Sequence, residues 1–514
     1  MSILEPAKSA VPRGTVYIGM QGAVTYLVQF LSYVVLTRIV TPVEIGKLPL
    51  LNATMGVFGS ITVLSLQTAT TKFVSEYAGA GRMDKASGTA WAAIKVVAVV
   101  SVPSFIVLAF FSPEVGELVF GSSADAGLIT FVLLASLIST FGALMVSTLW
   151  GLNLFSKMVT CNLTAVVVGR TVGVLLAWLG LKLQGFIVGW VIGAVASLTL
   201  STFFARPYLR TRSEHVSARP MLVYSYPVLF TVLIGLVQSW ADVTILYALT
   251  SSLVSTGIYY MGLAGAGVLS IFAGALTSAI FPTLSAMYGR GETGPFKETL
   301  RVSQRILNVS VLPVGFALAA VSGTAVTVAY GRAYLGASIP FALIVASYIV
   351  PAYLALMAVT LQATANTRPL IVIWGIAALT EVVLTAALVL PLNLVGSAVA
   401  RVGMSLVGVL VAFSYVKGEW WPAIDRASLT KGLTISALGA VILFTFDSFA
   451  VNAIQVTPLG RILLEGGAFV VVYAGGLIAL KPLIPQDIDL LRSALPSRFR
   501  SWLDPIQHWI TSEL

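Results

Sequence analysis

The sequence predicts an all-α integral membrane protein of about fourteen transmembrane helices: two six-helix lobes related by a parallel repeat, plus two extra helices. Three observations predict it. The 514-residue chain is 58% hydrophobic and only 10% charged, with mean hydropathy +0.95, whereas soluble proteins carry about 25% charged residues. Its apolar residues gather into fourteen runs near the roughly 20 residues that cross a bilayer. The chain also repeats its own plan at an offset of 211 residues. Gly46 falls on Gly257, Tyr77 on Tyr288, Lys157 on Arg368, Gly185 on Gly396 and Arg206 on Lys417, with no gap. Identity between the halves is low, so the repeat lies in landmarks and spacing.

The first lobe, residues 1–219, holds spans at about 15–37, 50–70, 88–112, 127–150, 160–181 and 183–205. Its start, "MSILEPAKSAVPRG", is not a cleavable signal, and Lys8 and Arg13 hold that end in the cytoplasm. The polar break "TRIVTPVEIGKLP" separates the first two spans, and the charged turn "KFVSEYAGAGRMDKA" closes the second. Gly185, Gly189 and Gly193 form a GxxxGxxxG face on the sixth span, expected for close helix packing.

The second lobe, residues 220–430, repeats the plan at about 222–249, 255–283, 302–325, 338–362, 369–391 and 393–416. Pro103 and Pro313, nearly one repeat apart, are expected at bends. Residues 431–483 carry two more spans, at about 432–451 and 459–483, outside the 6+6 repeat. Residues 484–514 read as an amphipathic tail on the cytoplasmic membrane surface, and Trp420 and Trp421 fit an interfacial aromatic belt.

Charge tests the count. With the N-terminus inside, the inner turns and both ends hold twenty-two Lys and Arg, while the outer turns hold only Arg38, Lys47, Lys182, Arg332 and Arg461. A miscount by one span scrambles this asymmetry. The expected topology is therefore both ends cytoplasmic in the cell membrane. An even number of spans per repeat keeps the copies facing the same way, which implies an axis along the membrane normal. The net charge of +10 is explained by these retained loops, and no nucleic-acid partner is expected.

Enzyme chemistry is not indicated. The chain has no GxxxxGK(S/T) phosphate loop, metal cluster or nucleophile elbow; its histidines are His215 and His508, and its one cysteine is Cys161. No cofactor is expected. The informative residues are charges inside apolar spans, which are costly and point to function. Arg170 lies in span 5, Asp242 in span 7, Glu381 in span 11, Arg401 in span 12 and Asp447 in span 13. Arg170 and Glu381 are repeat mates of opposite charge. Glu381 with Arg401 reads either as a functional pair or as a buried ion pair, and Asp447 as interfacial. Asp242 has Gln238 one turn earlier and no basic residue nearby in sequence.

The stretches "LTRIVTPVEIGKL", "TATTKFVSEYAGAGRMDKA", "YSYPVLFTVLIG", "ADVTIL" and "STGIYYMGLAGAG" resemble the polysaccharide-biosynthesis (Wzx-type) flippases of the multidrug/oligosaccharidyl-lipid/polysaccharide exporter superfamily. The resemblance covers spans 1–12 well and 13–14 loosely. It implies two lobes around a cavity lined mainly by spans 1, 2, 7 and 8, rocking to carry a polyprenyl-linked sugar to the outer leaflet. It also implies a lipid-tail groove at spans 13 and 14, as in the lipid II flippases; drug-exporting relatives usually stop at twelve. A cation site on spans 7 and 11 is implied too, which makes Asp242 and Glu381 the candidates for Na+ or H+ coupling, with Arg401 a departure able to neutralise it.

The expected partner is therefore a lipid-linked oligosaccharide handled by a monomer among membrane lipids. Its phosphate or pyrophosphate calls for cationic contacts, and Arg38, Lys47 and Arg170 are the candidates. The alternative is a cation-coupled multidrug exporter on the same fold, which would favour an acidic, aromatic cavity. A membrane glycosyltransferase normally needs a large external loop, and the longest outer turn here is about fifteen residues.

Overall fold

The computed structural model describes residues 7–210, 214–416, 418, 420–421, 425–448 and 458–480. The predicted tail at 484–514 and the loop residues Arg212, Ser213 and Lys417 lie outside the described residues. Every regular element described is helical, and the chain divides into two compact units, Met1–Tyr260 and Met261–Leu514.

The first unit contains α1 (Ala7–Leu36), α2 (Pro42–Val63), α3 (Leu66–Gly79), α4 (Met83–Phe110), α5 (Ser112–Phe120), α6 (Ala126–Gly151), α7 (Phe155–Leu176), α8 (Lys182–Leu209), α9 (Arg219–Thr250) and the start of α10 (Leu253–Ala266). The second contains the rest of α10, then α11 (Leu269–Gly289), α12 (Thr293–Ala320), α13 (Ser322–Tyr330), α14 (Ser338–Ala363), α15 (Arg368–Leu392), α16 (Leu394–Val416), α17 (Arg426–Phe446) and α18 (Pro458–Leu480). The boundary at Tyr260 leaves α9 with the first unit.

Local chemistry sets the element ends. Thr41 caps α2 in a capping box: the Glu44 N–H donates to its Oγ1 at 3.4 Å, and the Thr41 N–H donates to Glu44 Oε2 at 2.9 Å. Pro42 at the first turn costs no helical hydrogen bond. Left-handed Leu64 and Ser65 end α2, and α3 leaves at 46° to it, so the predicted second span begins earlier and breaks where none was expected. Pro103 and Pro313 sit inside continuous helices, α4 and α12.

Backbone turns recur along the two halves. Gly81 and Gly291, Gly121 and Gly331, Asn153 and Ala365, and Lys182 and Asn393 all have positive φ, at spacings of 210 to 212 residues. At Gly291 the turn is braced by Arg290, whose guanidinium hydrogen bonds hold the Glu292 carboxyl below the usual range.

Twelve helical stretches among the described residues are long and apolar enough to cross a membrane, and thirteen if the bent α2–α3 pair is one span. One of the twelve, Phe155–Leu209, is 55 residues long but turns back at Gly180, whose φ is 103°, so that α7 packs along α8. Glycines permit that approach. A Cβ on Gly189 would lie 2.3 Å from Gly173 Cα, and one on Gly193 2.3 Å from the Ala165 carbonyl. The GxxxGxxxG face therefore packs helix on helix, as expected.

In the second unit α17 lies on α12, where Asn308 donates to Ser428 Oγ at 3.1 Å and accepts from the Tyr353 hydroxyl at 2.6 Å. Asp447 accepts from Arg461 of α18 and from the Thr324 hydroxyl of α13, so it is ion-paired. Trp420 rests edge-on against Tyr288 and Phe296.

Candidate functional site

One polar contact of the first unit lies where α1, α2 and α10 meet. Early in α2 and α10, Gly46 and Gly257, 211 residues apart, face each other without side chains. A Cβ on Gly46 would lie 1.9 Å from the Leu253 carbonyl oxygen; one on Gly257 would lie 2.3 Å from Pro42 O and 2.8 Å from Gly46 N. Only glycine lets these backbones touch. Next to this contact the Tyr33 and Tyr260 hydroxyls share a 2.8 Å hydrogen bond, and Asn52 Nδ2 donates to Tyr260 at 3.5 Å.

Asp242, on α9, is fully buried. The Tyr259 hydroxyl donates to its Oδ2 at 2.5 Å and the Val243 N–H to its Oδ1 at 2.8 Å. A buried carboxylate is tolerable only with such donors. Sequence inspection missed Tyr259 because it lies on another helix, although "STGIYYMG" sits in the second half's counterpart of the first polar break.

Arg170 is 9% exposed. Its guanidinium carbon lies 5.2 Å from the Tyr33 ring centroid and 5.1 Å from those of Phe186 and Trp190. Among the described residues no carboxylate pairs with it, and its Nη1 and the neighbouring Trp190 Nε1 have no hydrogen-bond acceptor. Three aromatic faces offset part of the cost of burying the charge, each by up to about 2 kcal/mol when desolvated, yet the two donors stay unsatisfied.

Glu381 and Arg401 stand 211 residues after Arg170 and Trp190. They meet in the second unit as a buried ion pair, Arg401 Nη2 to Glu381 Oε1 at 3.6 Å. Two pairs of positions at the same 211-residue offset therefore carry a cation–π contact in one unit and an ion pair in the other. That correspondence was readable from the 211-residue offset and would have pointed to Trp190.

The other two predicted cations are placed differently. Lys47 binds the Asp125 carboxylate at 2.6 and 2.7 Å, with both side chains over 80% buried, beside a cavity of about 280 Å³. Arg38 is exposed just beyond α1. The three thus occupy three separate settings.

A cavity of about 830 Å³ in the first unit lies between α2, α4, α5 and α9. Its walls are apolar, with Phe58, Ile61, Leu118, Leu236 and Trp240 prominent, and Glu117 is its one charged lining residue. None of Arg38, Lys47 and Arg170 lines it.

The model of one family, described as polysaccharide biosynthesis protein, matches residues 11–288, more than half of the chain. The chain belongs to the polysaccharide biosynthesis protein family. The match takes in every residue of the Arg170 cage, the Gly46–Gly257 contact and Asp242.

The fold of this family member is also that of solved transporters. It is similar to the lipid II flippase MurJ in an inward closed conformation, at TM-score 0.70 and 15% identity over 89% of this chain and 97% of that one. An inward-facing multidrug resistance MATE family transporter of the MOP superfamily gives TM-score 0.62 and 13% identity over 79% and 97%. A MOP superfamily transporter from Pyrococcus furiosus gives 0.55 and 13% over 79% and 95%. These neighbours are flippases and transporters, not enzymes. No curated protein matches the chain.

Proposed function

We propose that the protein is a flippase that moves a polyprenyl-phosphate- or pyrophosphate-linked oligosaccharide from the cytoplasmic to the outer leaflet by alternating access, for polysaccharide or glycan assembly. In this reading fourteen helices cross the cell membrane and both termini are cytoplasmic, with the folded-back Phe155–Leu209 stretch crossing twice. Residues 1–219 and 220–430 are lobes of one parallel repeat, and 431–483 add a hairpin that accommodates the carrier's tail. Any coupling to a sodium or proton gradient is assigned to Asp242, because Arg401 already engages Glu381.

One observation carries the choice of an anionic cargo: the buried Arg170 guanidinium has no carboxylate, and its Nη1 has no acceptor, among the described residues. An uncompensated cation within an apolar span is costly and persists for function. A phosphate oxygen would satisfy it with a charge-assisted hydrogen bond. Arg38 and Lys47 remain secondary candidates, and Lys47 must first leave Asp125. A cation-coupled multidrug exporter is the competing reading; an uncompensated arginine disfavours cationic cargo.

The deciding experiment reconstitutes the protein with a short-chain polyprenyl-pyrophosphate sugar and measures its flipping. Losing a charge-assisted hydrogen bond costs about 1.5–3 kcal/mol, so Arg170→Gln should slow flipping roughly 10- to 150-fold. Arg170→Lys should recover part of it. Normal flipping by Arg170→Gln removes the residue from substrate binding.

A further inference from the structure

The 830 Å³ cavity of the first unit is separate from the Arg170 cage. The cage is built by α1, α7 and α8; the cavity lies between α2, α4, α5 and α9. It is open to the side, since several large apolar groups in its lining are themselves exposed: Val57, Ile61, Val237 and, at 85%, Leu118. Such a volume lies within the range of about 300–1,000 Å³ that holds drug-sized ligands.

The charge at its rim has one sign. Glu117, on the short α5, lines the cavity and is exposed, and its carboxylate has no ion pair or side-chain hydrogen bond among the described residues. No Lys or Arg lines the cavity; Lys47 is engaged by Asp125 in the neighbouring smaller one. Within the cavity the indole of Trp240 and the ring of Tyr247 present aromatic surface, which attracts cations. Hydroxyl side chains of Thr54, Thr62, Ser104, Thr244 and Ser251 also line it.

We infer that this cavity is a binding site for an amphiphilic organic cation: its apolar body lies against Phe58, Leu236 and Trp240, and its positive centre lies at Glu117. Charge complementarity selects this occupant over the hydrocarbon tail of an anionic lipid, whose head would meet an unpaired carboxylate. The walls α2 and α9 pack against each other beside the cavity, and a side chain on Gly56 would already meet Leu236 Cδ1 at 2.6 Å. An occupant of the cavity therefore touches both helices at once. The inference does not rest on the identity of the cargo.

The test uses full-length protein in nanodiscs, with binding followed by calorimetry for three probes of similar shape. These are tetraphenylphosphonium, neutral triphenylphosphine oxide and tetraphenylborate. One saturable site is expected for the cation, with weaker binding of the neutral probe and none of the anion. Glu117→Gln should weaken tetraphenylphosphonium about three- to tenfold, because a partly solvated ion pair contributes modestly. Glu114→Gln, on the same helix but outside the cavity lining, should leave it unchanged. Ala241→Phe, which fills the cavity, should remove binding of the cation and the neutral probe alike. Equal affinities for cation and neutral probe, or an unchanged Glu117→Gln, would overturn the inference in favour of an apolar lipid site. Equal losses in Glu114→Gln and Glu117→Gln would reduce it to a general surface potential, and absence of saturable binding would end it.

Discussion

A single methyl group at Gly257 tests whether the α2–α10 contact belongs to one conformation only. In Gly257→Ala the new Cβ would lie 2.3 Å from the Pro42 carbonyl oxygen and 2.8 Å from Gly46 N, where ordinary contacts fall at 3.4–4 Å. Both neighbours are backbone, so neither can rotate away, and the helices must part by about 1 Å. Overpacking of this kind costs roughly 1–3 kcal/mol. If the helices also separate during transport, that cost falls only on the closed form, and the balance moves toward the open one by a factor of roughly 5 to 150. Asn52, bonded to Tyr260 beside the contact, can report it. In a Cys161→Ser background, Asn52→Cys should react with an impermeant thiol reagent at least about fivefold faster once Gly257→Ala is added. Gly46→Ala, whose Cβ would meet the Leu253 carbonyl at 1.9 Å, should act alike. Because both strain one contact, the double variant should fall short of additivity. Unchanged labelling in two well-folded single variants would refute the reasoning.

Tyr259→Phe removes one donor from buried Asp242 and should destabilise the protein by about 1–3 kcal/mol, read as a lower thermal midpoint in detergent. Asp242→Asn should restore much of that loss in the double variant, and on its own should abolish any dependence of transport on an imposed sodium or proton gradient. Arg401→Gln leaves Glu381 buried and should cost about 3–5 kcal/mol, whereas Glu381→Leu with Arg401→Met should cost far less; equal losses would show that the pair does more than neutralise itself. Cysteines at Ser123 and Gly331 should label from outside intact cells and one at Gly294 should not; labelling of Gly294→Cys would overturn the fourteen-crossing topology.

The helices were legible because crossing a bilayer demands about 20 apolar residues and leaves a long hydropathic trace. The short elements α5 and α13, of nine residues each, leave none, and α5 supplies part of the cavity wall. The break at Leu64–Ser65 was equally hidden, since neither residue is a usual carrier of left-handed backbone. Arg170 stood out from the sequence as a charge in an apolar run. Its surroundings did not, because Tyr33 lies 137 positions away and only packing brings the ring over the guanidinium. The setting of Lys47 was hidden for the same reason: its partner, Asp125, is 78 residues on. Asp242 showed no sequence-local partner, since Tyr259 reaches it from a different helix. Pairing across helices is a property of packing, which a single sequence carries only where an internal repeat lets one half annotate the other.

The recurring left-handed turns bear on which length changes the chain can absorb. Between one such turn and the next, a helix advances about 100° per residue. A residue inserted inside α7 would therefore swing everything after it out of register with α8, separating Gly169 and Gly173 from Gly189 and Gly193. The same residue inserted at Gly81 or Gly121, where the helix has already stopped, would be taken up by the connection. Random insertions along the gene should accordingly be recovered in clusters near positions 81, 121, 153 and 182, and again near 291, 331, 365 and 393, with long silent intervals between them.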